Sequence, residues 1–376
     1  MKIKSQVSLI AVASLLVACG GGGGGSGPDT QPSTPATPVP NSVPLQTSIP
    51  TPTYPQGSDE LAALSYLNKA RSDCGFGMLK QNTLLDKAAK NHTAYMAENP
   101  YGDPHVETRG LTGFTGTDGT ERAGVVGYVN KGPEVLENGY SKWQMRNLDI
   151  LPPATAPTEF TESVRVLIQA PYHALNGMLS PVTEIGMGQT AKETIQAKNG
   201  TQRWQDLLSP TYYEFGYGDS SSGQMPVEGQ AIRTYPCEGS SDILPIFINE
   251  YSQFPILPDN RGSGGIPPSS AIIIFGEAGK KLELISAKLT QTSNNTDNPV
   301  FLMRLKENDT NPIYYRNESS GYIIFDKPLI PFQSYTATIN GKSGGQPFTR
   351  QFTYKVGNHI NQDAINYAIA HGLPTR

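Results

Sequence analysis

The chain runs to 376 residues, more than one ~150-residue domain needs, and 39 glycines and 31 prolines accompany only 37% hydrophobic residues, below the ~45–50% of an ordinary globular chain. Net charge is −4 with no basic run, so the phosphate-neutralising footprint of a nucleic-acid binder is missing. Residues 20–57 hold nine of the prolines, eight of the glycines and one charged side chain, Asp29, which leaves 319 residues to fold and predicts two domains.

Met1-Lys2-Ile3-Lys4 gives a positive start, and Val7 to Val17 an apolar run broken only by Ser8 and Ser14, too short to cross a ~30 Å hydrocarbon core. Residues 1–18 read as a signal peptide. Its end, Leu16-Val17-Ala18-Cys19, resembles the lipobox of bacterial lipoproteins, which implies lipidation of Cys19 and a membrane partnership through that lipid. An ordinary secretory signal with a chance cysteine is the alternative. In the lipoprotein class, Gly20 in place of an aspartate implies an outer-membrane or cell-surface, extracytoplasmic location. Residues 19–57 read as a stalk: the Gly run Gly20–Gly25 is flexible coil, and the prolines stiffen the remainder toward polyproline II.

Ser58-Asp59-Glu60 ahead of Leu61, Leu64, Asn68 and Arg71, with Gly75 and Gly77 behind them, marks both ends of a first helix. Two cysteines remain after Cys19. An oxidising compartment favours a Cys74–Cys237 disulfide over two free thiols. A second helix spans about Asn82 to Glu98, its apolar face built from Leu85, Ala88, Ala89, Tyr95 and Met96, with His92 among them as a satisfied core side chain rather than a ligand. A third begins near Thr161, breaks at Ala170-Pro171 and resumes as a short turn through Asn176. Strand-like pieces follow at Glu184–Gly188 and Gln202–Trp204, giving an α/β layered domain over residues 58–240.

Leu67-Asn68-Lys69-Ala70-Arg71, Leu84 to Ala89 with His92, then His105, Glu121 to Tyr128, Ala170-Pro171-Tyr172-His173 with Asn176, and Thr183 to Gly188 follow one another in an order and spacing that resembles the bacterial branch of the CAP superfamily. These are the cysteine-rich secretory protein, antigen 5 and pathogenesis-related-1 proteins, also called SCP-like. The resemblance implies an α-β-α sandwich whose central cleft holds two histidines and one or two acidic residues. His105 matches the first cleft histidine and His173 the second; Glu134 matches the cleft glutamate, Glu162 stands less closely for a second one, and Glu107 and Glu121 are further candidates. Members that use both histidines bind a divalent metal there, often zinc. Two neutral imidazoles 68 residues apart would hold zinc with open positions for water, beside a carboxylate acting as general base; packing alone is the alternative reason for both histidines.

From Ile243 the pattern changes to short apolar runs separated by Gly, Asn, Pro and Ser: Ile246–Ile248, Ala271–Phe275, Leu282–Ile285, Val300–Leu305, Tyr322–Phe325, Tyr335–Ile339 and Phe348–Tyr354. Such spacing predicts an antiparallel β-sandwich over residues 241–357, and Pro328 to Ile339 with Phe352-Thr353-Tyr354 resembles the closing strands of bacterial Ig-like domains. Gly341-Lys342-Ser343-Gly344-Gly345 fits the G-x-S-x-G pattern, but no helical pattern follows it, so a hairpin turn is expected in place of a nucleophile elbow. The Asn294–Asn298 and Glu307–Asn311 clusters read as turns rather than calcium loops. Residues 358–376 form a polar tail with a short helix through Ala364–Ile369.

Two functional readings follow. The first is a membrane-anchored lipoprotein whose CAP cleft binds an extracellular ligand or cell-surface partner, displayed with the Ig-like module. The second is a metal-dependent hydrolase, a peptidase or cell-wall enzyme, in which His105 and His173 hold zinc and Glu134 activates water.

Overall fold

The computed structural model describes residues 43–99, 105–129, 135–141, 159–191, 211–217, 224–225, 232–247, 268–305, 308 and 318–357. The signal peptide, Cys19, Glu134, the expected strand at 202–204 and the tail from 358 lie outside them.

The stalk expectation is corrected over its last third, because residues after Val43 are docked. Strand β1 (Val43–Pro44) pairs in parallel with Gln224–Met225. Gln46 accepts from Met78 N at 2.8 Å and donates from Nε2 to Met78 O and Thr183 O. Gln81 Oε1 takes Thr53 N at 2.6 Å, and the half-buried Tyr54 donates through its hydroxyl to Asp86. The Pro-rich composition implies a stiffened coil, but the backbone of Met78 and Thr183 and the side chains of Gln81 and Asp86 supply partners for this extended segment.

Helix α1 (Asp59–Asp73) starts where predicted, with Ser58 capping Leu61 N, and Gly75 and Gly77 follow it with positive φ. Its buried polar residues serve the chain just beyond. Asn68 exchanges two hydrogen bonds with the backbone of Leu79. Arg71, fully buried, donates to Gly77 O, Met178 O and Phe76 O. Strand β2 (Lys80–Gln81) leads into α2 (Thr83–Glu98), capped by Asn82, and α3 (Gly119–Val125) is capped by Asp118. The third predicted helix is α4 (Glu159–Leu167), followed by the turn Pro171–His173 and the π-helical segment Ala174–Met178.

With β3 (Leu136–Ser141), β4 (Glu184–Ala191) and β5 (Thr211–Tyr217), β2 forms a mixed sheet of order β2-β4-β5-β3. Helix α2 lies on it, and two glycines of β4 permit the approach. A Cβ on Gly186 would fall 2.1 Å from the carbonyl carbon of Leu85, and one on Gly188 2.3 Å from Lys90 N. Backbone atoms cannot turn aside as a side chain can, so Gly188→Ala forces the helix off the sheet. We expect a loss of at least ~1–3 kcal/mol, the usual cost of overpacking, read by urea denaturation; an unchanged midpoint would contradict this packing.

The C-terminal half contains two antiparallel four-stranded sheets. After β6 (Gln224–Met225), the strands are β7 (Arg233–Tyr235), β8 (Ile272–Phe275), β9 (Leu282–Gln291), β10 (Thr296–Asn298), β11 (Val300–Leu305), β12 (Ser320–Phe325), β13 (Ser334–Ser343) and β14 (Gln346–Lys355). Their orders are β10-β9-β13-β14 and β11-β12-β8-β7. The predicted run Ile246–Ile248 is corrected: Ile246 and Phe247 are buried without joining a strand. Strand pairing also crosses position 240, since β7 is an edge of the second sheet. Gly344 and Gly345, both at positive φ, make the two-residue hairpin between β13 and β14, as the mirror-image turn geometry requires.

Burial explains the two kinds of apolar run. Strand β13 alternates between buried and half-buried positions, as a strand with one core face does. Strands β8 and β12 are buried at every position, so their sheet is covered on both faces. One face meets the other sheet, where a Cβ at Gly321 would lie 3.6 Å from Leu284 Cδ1. The opposite face meets the helical half: Phe275 sits edge-on to Phe76 at 5.4 Å and Tyr322 edge-on to Tyr172 at 6.3 Å. One hydrophobic cluster therefore runs from α1 to β14. The Cys74–Cys237 disulfide is formed across the same seam.

Candidate functional site

The apolar face of α2 carries His92 into the interior, where its side chain is wholly buried. Nδ1 lies 2.8 Å from Glu107 Oε1, and the ring stacks on Tyr95 at 6.0 Å. Glu107 is 1% exposed. Its carboxylate also accepts from Thr115 N at 2.5 Å, Thr115 Oγ1 and Gly116 N. Burial alone would raise its pKa, but the hydrogen bonds from His92 and Thr115 together with the His92 charge outweigh that and hold it below the usual range. Glu107 is thus a carboxylate, and the His92 Nδ1–H donates to it.

This pair organises the segment that carries His105. Glu107 N donates to Thr117 O, Thr108 N donates to the Tyr95 hydroxyl at 2.8 Å, and the buried Arg122 donates from Nη1 to Gly116 O and Thr117 O. Gly116 has φ +156°, and a Cβ there would sit 2.6 Å from Arg122 N. The segment is gripped from beneath by a carboxylate on its N–H groups and by a guanidinium on its carbonyls. His105 stands two residues before Glu107, partly exposed, with Val106 between them 41% exposed.

The second predicted histidine, His173, ends the turn Pro171–His173 and begins the π-helical segment. Tyr172 beside it is buried against Tyr322, which fixes the turn, and His173 is partly exposed. The candidate glutamates diverge. Glu162 pairs with Arg165 at 3.1 Å, and Arg165 Nε donates to Asp242 O at 2.7 Å, so this carboxylate lies at the seam with the β half; burial raises its pKa despite Arg165. Glu121 is a surface tie, accepting from Thr117 N at 2.8 Å and Arg109, the Thr117 N–H foremost in lowering its pKa. Glu107 is committed to His92. No three His, Cys, Asp or Glu side chains among the described residues converge on a metal position.

The sequence reading placed His92 correctly as a satisfied core side chain but did not find its partner. The signal was present: a glutamate two residues after a candidate histidine, ahead of Thr115-Gly116-Thr117, has backbone N–H groups within reach. It also passed over Asp86, which accepts from Met187 N at 2.8 Å, from Gln81 Nε2 and from Tyr54 and so joins helix, sheet and docked N-terminal segment. Burial foremost raises its pKa.

Residues 64–227 match the sequence model of CAP, the cysteine-rich secretory protein family. No curated protein matches the chain. The buried Asn68 and Arg71, the Gly186 and Gly188 contacts with α2 and the Pro171–His173 turn all fall inside that match, and the chain carries a CAP domain over residues 64–227.

Proposed function

We propose that this is an exported lipoprotein, lipidated at Cys19 and held at an outer membrane or cell surface, whose CAP domain binds an extracellular ligand at His105 and His173, with the C-terminal strands as an Ig-like display module. The observation that carries the ligand reading is the contrast among the histidines of the domain. His92 is sealed and paired, while His105 and His173 are both partly exposed, as residues that meet a ligand must be. Native mass spectrometry of the chain purified from its own membranes tests this. A bound mass is expected, reduced at least tenfold by His105→Ala with His173→Ala; an unchanged bound mass would remove both histidines from the site.

Zinc is the group the family implies for these positions. Two imidazoles are one donor short of the three protein ligands of a catalytic zinc site, and Glu134, the carboxylate assigned to them, is outside the described residues. Stoichiometric zinc that disappears in the double histidine variant would replace the ligand reading with a metal-dependent hydrolase. Lipidation is tested separately by palmitate labelling, which Cys19→Ala should abolish.

A further inference from the structure

Four arginines are buried among the described residues, and three are partnered by the chain itself. Arg71 donates to three carbonyls, Arg122 grips two, and Arg165 reaches Asp242 O and Glu162 with only Nη2 left over. Arg233 differs. It is 6% exposed, and its Nε and Nη1 are sealed from solvent with no hydrogen-bond partner.

Arg233 sits on edge strand β7, opposite Phe275 in register. Its Cζ lies 5.0 Å from the Phe76 ring centroid and 5.7 Å from that of Phe275. The two rings are themselves edge-on at 5.4 Å, so the guanidinium is held where the helical half meets the β half. Burial alone lowers its pKa, to about 10, with no carboxylate offsetting it, and it stays cationic at neutral pH. Aromatic rings stabilise a guanidinium through its faces. They leave Nε–H and Nη1–H unused, and a buried charge with incomplete hydrogen bonding is a costly arrangement for a fold to hold.

We propose that Arg233 is the receptor for a carboxylate-bearing ligand at the seam between the CAP domain and the C-terminal sheets. A carboxylate oxygen that accepts from Nε–H or Nη1–H in the guanidinium plane would make a charge-assisted hydrogen bond. It also supplies the missing charge, which a buried water would not. This site is independent of the two histidines, and its test does not depend on them.

The experiment is a thermal melt of the full chain against sodium acetate, then sodium octanoate, at ionic strength held constant with chloride. The wild type should show a saturable rise of roughly 3 °C or more, and Arg233→Met, which keeps an apolar stem against the rings, should show none. An equal rise in both proteins, or none in the wild type, overturns the proposal. A rise with inorganic phosphate but not with acetate overturns the carboxylate assignment. Should the variant fail to fold, the wild-type protein with nitrogen-15-labelled arginine decides: one buried Nε–H resonance should move saturably with acetate, and a static spectrum refutes the site.

Discussion

Glu107→Ala should cost about 3 kcal/mol or more, because several buried donors lose their acceptor at once and each one left unsatisfied costs ~1–3 kcal/mol. The loss exceeds that of an ordinary hydrogen bond because one side chain serves several donors: His92 Nδ1, Thr115 N, Thr115 Oγ1 and Gly116 N all point at it. Truncation leaves these buried and unsatisfied, and water cannot reach them at a residue 1% exposed. Glu107→Gln keeps the shape but replaces one acceptor oxygen by a donor, so about 1–3 kcal/mol is expected. The pH dependence has a definite sign. The folded pKa of Glu107 is depressed, below the ~4.3 of an unfolded glutamate. Its contribution is therefore complete above the unfolded value and is lost as pH falls through the folded one. Urea titrations between about pH 3 and 7 should show the wild type losing stability on acidification and Glu107→Gln losing less. Parallel curves for the two proteins would show that Glu107 is not held ionised.

The second large effect belongs to the disulfide. Cys74 and Cys237 are 163 positions apart, and the loop-entropy expression for a closure of that length gives roughly 5 kcal/mol, an upper figure beside the typical 2–5 for native disulfides. Cys74→Ala with Cys237→Ala should lower stability within that range, most of it through the unfolded chain. The location adds a folded-state cost. Both sulfurs are buried, and Ser240 Oγ lies 3.6 Å from one and 3.4 Å from the other, so their removal also loosens the start of the 238–243 loop that pairs with β14. Reductant should reproduce the loss in the wild type and do nothing to the double variant. A difference under about 0.5 kcal/mol, the size of an ordinary surface change, would mean the seam is held by packing alone.

What the sequence made legible was local. Ser58 and Asn82 each announced a helix start through capping chemistry, and Ala170-Pro171 announced the break before His173, because such signals act within four residues of one another, whereas the short helix capped by Asp118 went unread. The motif pieces of the CAP domain were readable as a set, but their physical reasons were not. That Gly186 and Gly188 exist to admit a helix backbone requires knowing that α2 crosses β4 there. The His92–Glu107 pair escaped for the same reason. A buried histidine announces a need for a partner without naming it, and several glutamates were within sequence reach. The stalk was misjudged from composition: Pro and Thr are poor core formers, yet Gln46, Thr53 and Tyr54 find their partners on Met78, Thr183, Gln81 and Asp86, contacts that no window of the sequence contains.

The fully apolar strands carried a clue of another kind. Ile272–Phe275 and Tyr322–Phe325 show no alternation, and a strand with a wet face would. Their sheet spends one face on its partner sheet and the other on Phe76 and Tyr172, so the strands cannot be lifted out as an interchangeable bead. Expressed alone, the C-terminal strands would turn Phe275 and Tyr322 to water, an adhesive surface of the sort that drives aggregation. Recombination or truncation near residue 240 thus meets a barrier at the level of solubility, and gain or loss of the β half during descent would have required rebuilding the helical face that it covers.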